Sequence, residues 1–434
     1  MQKKYRRIIF IIFLLLFIAS IPLVLIYTAG YRYNIKKGGL EKTGAIIVNL
    51  KTKNAILYLN ERAYQVKETL RIKNLLPDDY NVRISKSGYY DWQKKLTVES
   101  ELTTFIRDLR LLKKGPPVKF FDLPTGIFYP SEDRNRLAYA HYDKAAAAYR
   151  LSVLNIDDRK TREITKLPQS PLAIEWSPDN NKFFVGINAG FRIFDSKNGE
   201  IHLPFFKNKI YELRWDKKSG FGLFARTGDG IYRIDLLLKD YSKIYSSKTL
   251  DGFYYEQDVL YLIEQGNLKQ VGILDKQTVF APLERKDYKI KNVVDGRIFL
   301  LSPAGKLQVF ALPITKSSAP LLLSNAVDFN ISGDRLLYYN DFEIWNYNLS
   351  SESKELVTRV STNIKKAFWA NDVDYILFAS DNKIQATEED KRDRRQTFIL
   401  AGLEDIGEIV LAKKGILYFF GRLDKAPGLY KLEI

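Results

Sequence analysis

Residues 174–183 read IEWSPDNNKF, a Ser-Pro-Asp-Asn turn held between two apolar runs, and its spacing recurs along most of the chain. From Trp176, a second apolar strand, Phe183 to Ile187, starts seven residues later. A third, Phe191 to Asp195, leads through Ser-Lys-Asn-Gly into Glu200 to Leu203. Four short strands across three turns make one propeller blade, in which Pro178 presets φ and Asp179 and Asn180 tolerate the tight hairpin. Trp215 opens the same series 39 residues on, with FGLFA and then IYRID. Phe329 opens another in DFNISGDRLLYY, and Trp369 another with YILFA. The gap from Trp215 to Phe329 is 114 residues, three times 38, so two more copies should begin near positions 253 and 291. GFYYEQDVLYLIEQGNLKQVGIL at Gly252 and KNVVDGRIFLLSPAGKLQVFALP at Lys291 fill those places. Outlying copies near Tyr129 and Val410 complete eight units over residues 118–434, close to 40 residues each, the length expected of four-stranded blades.

The way the ring closes is also legible. Blades one to seven each offer a fourth strand: TREIT at 161, EIHLP at 200, SKIYS at 242, QTVFA at 277, PLLLS at 320, KELVT at 354 and QTFIL at 396. The eighth runs through Glu408 to Ala412, Gly415 to Phe420 and Gly428 to Ile434, and lacks a fourth. Because an open blade leaves unpaired backbone groups on a sheet edge, the unassigned strand VKFFDL, Val118 to Leu123, is expected to pair there. A seven-bladed ring that closes without this strand is the alternative count, and a stack of β-sandwiches is the alternative architecture. The Trp-Ser-Pro-Asp wording resembles the blades of TolB and prolyl-oligopeptidase-type propellers. In such peptidases a hydrolase domain accompanies the propeller; here the last blade runs to Ile434, and no such domain is expected.

Upstream, residues 43–112 show short alternating runs, with Tyr80, Val82 and Ile84 on one face and Asn81, Arg83 and Ser85 on the other, the pattern of a half-buried antiparallel sheet. TGAIIVN at 43–49, NAILYLNE at 54–61 and LLPDDYNVRISKSGYYDW at 75–92 resemble the PEGA domain family. Gly88 supplies a positive φ, and Tyr89, Tyr90 and Trp92 supply bulk for a small core. The family's Pro-Glu-Gly-Ala stands here as Thr52-Lys53-Asn54-Ala55, and its Gly-x-Thr-Pro is reduced to Thr69. The resemblance implies an extracytoplasmic accessory module without a general catalytic role. Lys113-Lys114-Gly115-Pro116-Pro117 reads as the linker to the propeller.

The N-terminal segment is apolar. Ile8 to Tyr27 carries no charge for twenty residues, enough to cross a hydrocarbon core of about 30 Å. Lys3, Lys4, Arg6 and Arg7 precede it, against Arg32, Lys36 and Lys37 after it, which favours a cytoplasmic N-terminus and an extracytoplasmic body. Tyr27, Tyr31 and Tyr33 are expected at headgroup level. The order expected is then a cytoplasmic tail at 1–7, a single membrane span at 8–27, a juxtamembrane linker at 28–42, the PEGA-like β-sandwich at 43–112, a linker at 113–117 and a β-propeller at 118–434: an all-β protein behind one transmembrane helix.

Composition removes function classes more readily than it supplies one. There is no cysteine and only two histidines, His141 and His202, and no HExxH, GxSxG or GxxxxGK motif. No catalytic, cofactor or metal-binding residue can be named, and no cofactor is expected. Net charge is +17; residues 1–40 hold seven basic and no acidic side chains, leaving +10 for the remainder. That balance is compatible with anionic polymers or headgroups and equally with a solvated surface, and nucleic acid is not expected as a partner. The densest charge cluster, EEDKRDRR at Glu388 to Arg395, mixes both signs and reads as an exposed loop. The leading expectation is a non-catalytic, membrane-anchored surface protein of the bacterial envelope that presents its propeller to a protein or a cell-wall polymer. The alternatives are a glycan-processing enzyme with carboxylates in the central funnel and a basic polymer or nucleic-acid binder.

Overall fold

The computed structural model describes residues 3–272, 278–370, 375–412 and 415–434. Between Val118 and Glu433 these residues form eight four-stranded antiparallel sheets. In the first seven the strands lie side by side in chain order, from an inner strand outward. The inner strands are Tyr129–Pro130, Ala173–Trp176, Glu212–Trp215, Leu250–Glu256, Lys289–Val294, Asp328–Ser332 and Ile364–Trp369, and each contains the position that marks its repeat. The fourth strands fall where the sequence places them, from Thr161–Leu167 to Thr397–Gly402; Gln277, the first residue read into the fourth of these, lies outside the described residues. In the last sheet, Asp405–Ala412, Ile416–Leu423 and Ala426–Glu433 are completed by Val118–Phe121. Val118 pairs with Lys431, Lys119 with Tyr430 and Phe121 with Leu429.

The ring is held at its junctions. Among the described residues eight apolar clusters each join one blade to the next, including the junction of last to first, where Leu123, Phe128, Leu137 and Tyr139 pack with Val410, Tyr418, Phe420 and Leu429. A fully buried Phe such as Phe183, Phe224 or Phe299 contributes about 1.5 to 3 kcal/mol of transfer free energy, so the side chains that seal the junctions also dominate the stability. At the last junction the backbones come close: Glu408 N–H donates to Gly126 C=O at 2.9 Å, and any Cβ on Gly407 would collide with that carbonyl.

The turn at 177–182 shows why its residues are needed. Ser177 Oγ–H donates to Asp179 Oδ1 (2.5 Å), Asp179 Oδ1 also accepts from Asn181 N–H (3.1 Å), and Asn180 has a φ of +58°. The same turn is built by Ser131-Glu132-Asp133-Arg134-Asn135 in the first blade, with Ser131 Oγ on Asp133 (2.6 Å) and Arg134 at a φ of +60°. The two turns touch, as Asp133 N–H donates to Asn180 Oδ1 at 3.1 Å. Two of the tryptophans that end inner strands reach backward: Trp176 Nε1 donates to Tyr129 C=O (3.0 Å), and Trp215 Nε1 to Glu175 C=O (3.1 Å), whereas Trp369 Nε1 donates to Glu389 of its own blade.

The small domain is a two-layer β-sandwich. One sheet holds Thr69–Leu75, Gly44–Leu50 and Thr103–Leu109; the other holds Arg62–Val66, Ala55–Leu59, Asp78–Ser85 and Trp92–Val98. Its core joins Ile46, Val48, Ile72 and Ile106 to Leu57, Val82, Ile84, Trp92 and Leu96. Gly88 has a φ of +80°. The expectation of a purely antiparallel sheet is corrected, since Gly44–Leu50 runs parallel to Thr103–Leu109. Alternation within a strand is the same for either direction, so it carries no information on the partner. The N-terminal helix spans Lys3–Thr28, wider than 8–27, because the basic residues before the apolar run continue the same helix; Met1 and Gln2 lie outside the described residues. The segment 28–42, read as a linker, contains a hairpin, Tyr31–Asn34 with Gly39–Lys42.

Two further readings change where the small domain meets the propeller. The cluster 388–395 is not a free exposed loop. Glu388 is 2% exposed, and its carboxylate accepts from Trp92 Nε1 (2.7 Å), Lys94 Nζ (2.5 Å) and Gln396 N–H (2.6 Å). Lys94 is likewise buried, at a core-facing position of an alternating strand, and its ammonium also donates to the carbonyls of Asp390 (2.9 Å) and Arg394. Burial pushes the Glu388 carboxyl upward, and the three donors pull it back. Trp92–Val98 is an edge strand of its sheet, and two of its N–H groups are covered by propeller side chains: Gln93 by Gln396 Oε1 (2.9 Å) and Lys95 by Asp393 Oδ2 (3.0 Å). Nor does the linker at 113–117 leave its neighbours loose. Leu111 packs in the sandwich core while the next residue, Leu112, packs in the cluster between the seventh and eighth blades, and Lys113 pairs with Glu433 (2.5 Å).

Lys94→Met therefore leaves a buried carboxylate without its counter-ion, and a loss of about 3 to 5 kcal/mol is expected. In urea titrations the sandwich should then melt earlier than it does in the wild type and ahead of the propeller, and Lys94→Met/Glu388→Leu should restore much of the loss. A Lys94→Met variant that melts in one step at the wild-type midpoint would dissociate this pair from the docking. Deleting Val118–Phe121 should in turn lower the midpoint of the whole propeller cooperatively, by more than deletion of an equally long surface turn such as 144–147, as followed by near-ultraviolet circular dichroism.

Candidate functional site

Inner strands expose alternate residues to the central channel. In Ala173–Trp176 the burial alternates so that Ala173 and Glu175 face the opening, and in Glu212–Trp215 it is Glu212 and Arg214. Lys289 and Lys291 occupy the equivalent exposed positions of Lys289–Val294. Most carboxylates here are matched to cations. Glu212 meets Arg214 (2.9 Å) and Arg226 (3.4 Å), and Glu408 meets Lys366. Arg214 also donates to Ile290 C=O (2.9 Å) and lies 5.0 Å from the centre of the Tyr254 ring, so it reaches past the fourth blade to the fifth.

A cavity of about 210 Å³ opens beside these groups, lined among others by Glu132, Glu175, Arg214, Lys217, Tyr254 and Lys291. Glu175 is its distinctive member. Channel solvent reaches the side chain, yet protein surrounds it, and this desolvation pushes its carboxyl above the ordinary glutamate value; Arg214 and the Trp215 N–H oppose the shift, and Glu212 and then Glu132 add to it. Lys291 has the charge to meet an anion and Glu175 the charge to meet a cation, so the cavity can hold a polar group of either sign. Among the described residues no group of three or more side chains has the make-up of a metal site.

The turns divide by end. One end carries the links that join an outer strand to the next inner strand, together with the turns between second and third strands. Ile127, Leu172, Tyr211 and Val327 lie in such links, Phe342 in such a turn and Tyr142 at the end of a strand leading into one. All six are large apolar or aromatic side chains, from 49% exposed at Val327 to 67% at Leu172. Ile127 and Tyr142 border a groove on the first blade and its flanking links, with Pro124, His141, Tyr149 and Pro171. The opposite end carries the 388–396 turn and the Glu433 terminus, where the small domain docks.

The two histidines separate. His141 lines that groove with its Nδ1 buried and unpartnered, and His202 is exposed, 4.0 Å from Glu200. They share no site. The sequence named neither the Glu175 cavity nor the apolar end. Strand alternation at AIEW and ELRW carried the signal for the first, once the inner strands were placed facing a channel. The second is spread over loops of five blades and has no local signature.

With this geometry in view, the class of fold is a β-propeller. The C-terminal WD40 domain of Sif2 superposes with a TM-score of 0.50 at 12% identity, over 74% of this chain and 99% of that domain. Sqt1 from Saccharomyces cerevisiae gives 0.49 at 10% identity, over 74% of this chain and 98% of that one. BamB from Moraxella catarrhalis gives 0.44 at 11%, over 74% and 96%. At these identities the likeness is one of fold. No family model and no curated protein matches the sequence.

The raised Glu175 carboxyl has a pH consequence. The folded chain holds a proton that the unfolded chain has lost, so stability falls as pH rises from about 4.3, the ordinary glutamate value, through the folded-state value. In urea titrations between those limits, Glu175→Gln should gain on the wild type as pH rises and level off above. A difference that stays flat with pH would make Glu175 an ordinary solvated carboxylate.

Proposed function

We propose that this chain is a membrane-anchored extracytoplasmic scaffold of the cell surface, which carries an eight-bladed propeller on a PEGA-like module and binds a protein partner without catalysing a reaction. The observation that carries this reading is the set of six exposed apolar side chains on the end of the propeller remote from the small domain. Large apolar side chains left open to water on the loops of one end are available to a partner's contacts. The apolar helix supports the anchor, since Tyr5–Thr28 has the length and composition of a span, and the basic residues before it support the orientation.

A second reading, a glycan-processing or other acid–base enzyme in the channel, is favoured by one observation, the perturbed Glu175 beside Glu132. Against it, Glu212 and Glu408 are tied to cations. The two readings separate on one set of variants. A photo-crosslinking residue at Leu172 or Tyr211 in living cells should give a discrete adduct, while one at Leu237, on the opposite end, should not. Leu172→Glu/Tyr211→Glu should abolish the corresponding complex with an unchanged melting temperature. If that variant keeps its complex while Glu175→Gln alone removes the cellular phenotype, the channel and not the apolar end is the working site.

A further inference from the structure

The hairpin Tyr31–Asn34/Gly39–Lys42 begins three residues after the apolar helix ends at Thr28. Tyr31 pairs with Lys42 and Tyr33 with Leu40, so these four share one face, while Arg32, Asn34 and Glu41 share the other. The faces are unlike. Tyr33 is 61% and Leu40 53% exposed, whereas Asn34 is 5% exposed and donates through Nδ2 to Glu41 (2.7 Å). At the tip, Ile35 is 87% exposed and is followed by Lys36 and Lys37. A soluble hairpin would gain nothing by presenting tyrosine, leucine and isoleucine to water so close to a helix that is itself apolar all round. The geometry points to a lipid surface as the occupant: we infer that the Tyr31/Tyr33/Leu40 face and Ile35 sit in the headgroup region of the bilayer, while Lys37, paired with Glu41 (2.8 Å), stays on the polar side. This rests on the reading of the helix as a membrane span.

The hairpin is fastened on both sides, which makes it a collar and not a tether. Toward the helix, Arg32 donates to Tyr27 C=O (2.8 Å), a helix-terminal carbonyl, and its guanidinium lies 3.5 Å from the centre of the Tyr27 ring. Thr43 Oγ1 donates to Gly30 C=O (2.9 Å) across the base of the hairpin. Toward the sandwich, Lys36 pairs with Asp78 (2.8 Å) and Lys42 with Glu101 (2.5 Å). Aromatic rings at headgroup depth, with apolar side chains beside them, are the usual anchors of interfacial segments. Seated in this way, the hairpin fixes how the sandwich stands on the membrane.

The chain contains no cysteine, so single-cysteine variants of the full-length protein can be labelled directly. The test is to reconstitute Leu15→Cys, Tyr33→Cys, Leu40→Cys, Glu41→Cys and Lys239→Cys, each carrying a small fluorophore, in vesicles of phosphatidylcholine and phosphatidylglycerol. Lipid brominated near the headgroup and a water-soluble quencher then report depth. Tyr33 and Leu40 should be quenched by the lipid and shielded from the aqueous quencher. Glu41 and Lys239 should behave in the opposite way, and Leu15 should answer only to lipid brominated deep in the chains. If Leu15 is deep while Tyr33 and Leu40 remain as open to water as Lys239, the span stands and the collar is wrong. If Leu15 is not in lipid but Tyr33 and Leu40 are, the hairpin binds the surface by itself and only the span is wrong. If none of the three meets lipid, both fail.

Discussion

A lysine and a glutamate with almost no access to water hold the two folded parts of this protein in register. Ionised groups in such a place are costly unless every donor and acceptor is used, and here they are: Lys94 distributes its ammonium over Glu388 and two carbonyls, and Glu388 receives the indole of Trp92 and a backbone N–H as well. Such a pair adds little net stability compared with well-packed apolar residues. Its effect is selective, because a sandwich docked one residue out of register would bury both charges unpaired. The same contact covers the outer edge of Trp92–Val98, so the site that orients the domain also removes an edge open to stray pairing.

This register decides what the propeller displays. The small domain occupies the end that carries the third-to-fourth-strand turns, and the apolar residues Ile127, Leu172, Tyr211 and Val327 lie on the other. The channel between them is a corridor of matched charges and not an apolar pocket. On the reading proposed above, a folded partner meets the Ile127, Leu172, Tyr211 and Val327 end, and a small charged group the cavity around Glu175 and Lys291. The two surfaces need not serve the same ligand.

Much of the propeller was legible because its geometry writes a period into the chain. Trp176 and Trp215 end inner strands and reach back to the preceding blade, so they recur at blade spacing, and the copies at Gly252 and Lys291 could be located by arithmetic before any letters matched. Pairing between distant strands left weaker traces. The parallel partner of Gly44–Leu50 has no local signal, and the hairpin at 31–42 has strands of four residues, too short for alternation to show. The turn at Ser131–Asn135 was missed as a copy of the quoted stretch because Pro130 stands where the other turn has Trp176. The docking site was misread for a deeper reason. Lys94 occupies an inward position that a strand pattern reserves for an apolar side chain, and a mixed-charge run such as Glu388 to Arg395 has the same composition whether it faces water or another domain.

The closing blade has a consequence for the order of folding. Its outer strand, Val118–Phe121, lies more than three hundred residues upstream of the Leu429–Lys431 segment it pairs with. Each of the other blades is assembled from neighbouring stretches and can form as soon as its own strands are available. The ring cannot, because its last hydrogen bonds join the beginning of the domain to its end. A chain that emerges amino end first must hold Val118–Phe121 unpaired for the whole of propeller synthesis, with seven nascent blades arranged as an open arc. Loop closure of that length is an entropic charge met once, at the end, so the slow step belongs to the ring as a whole and to no individual blade.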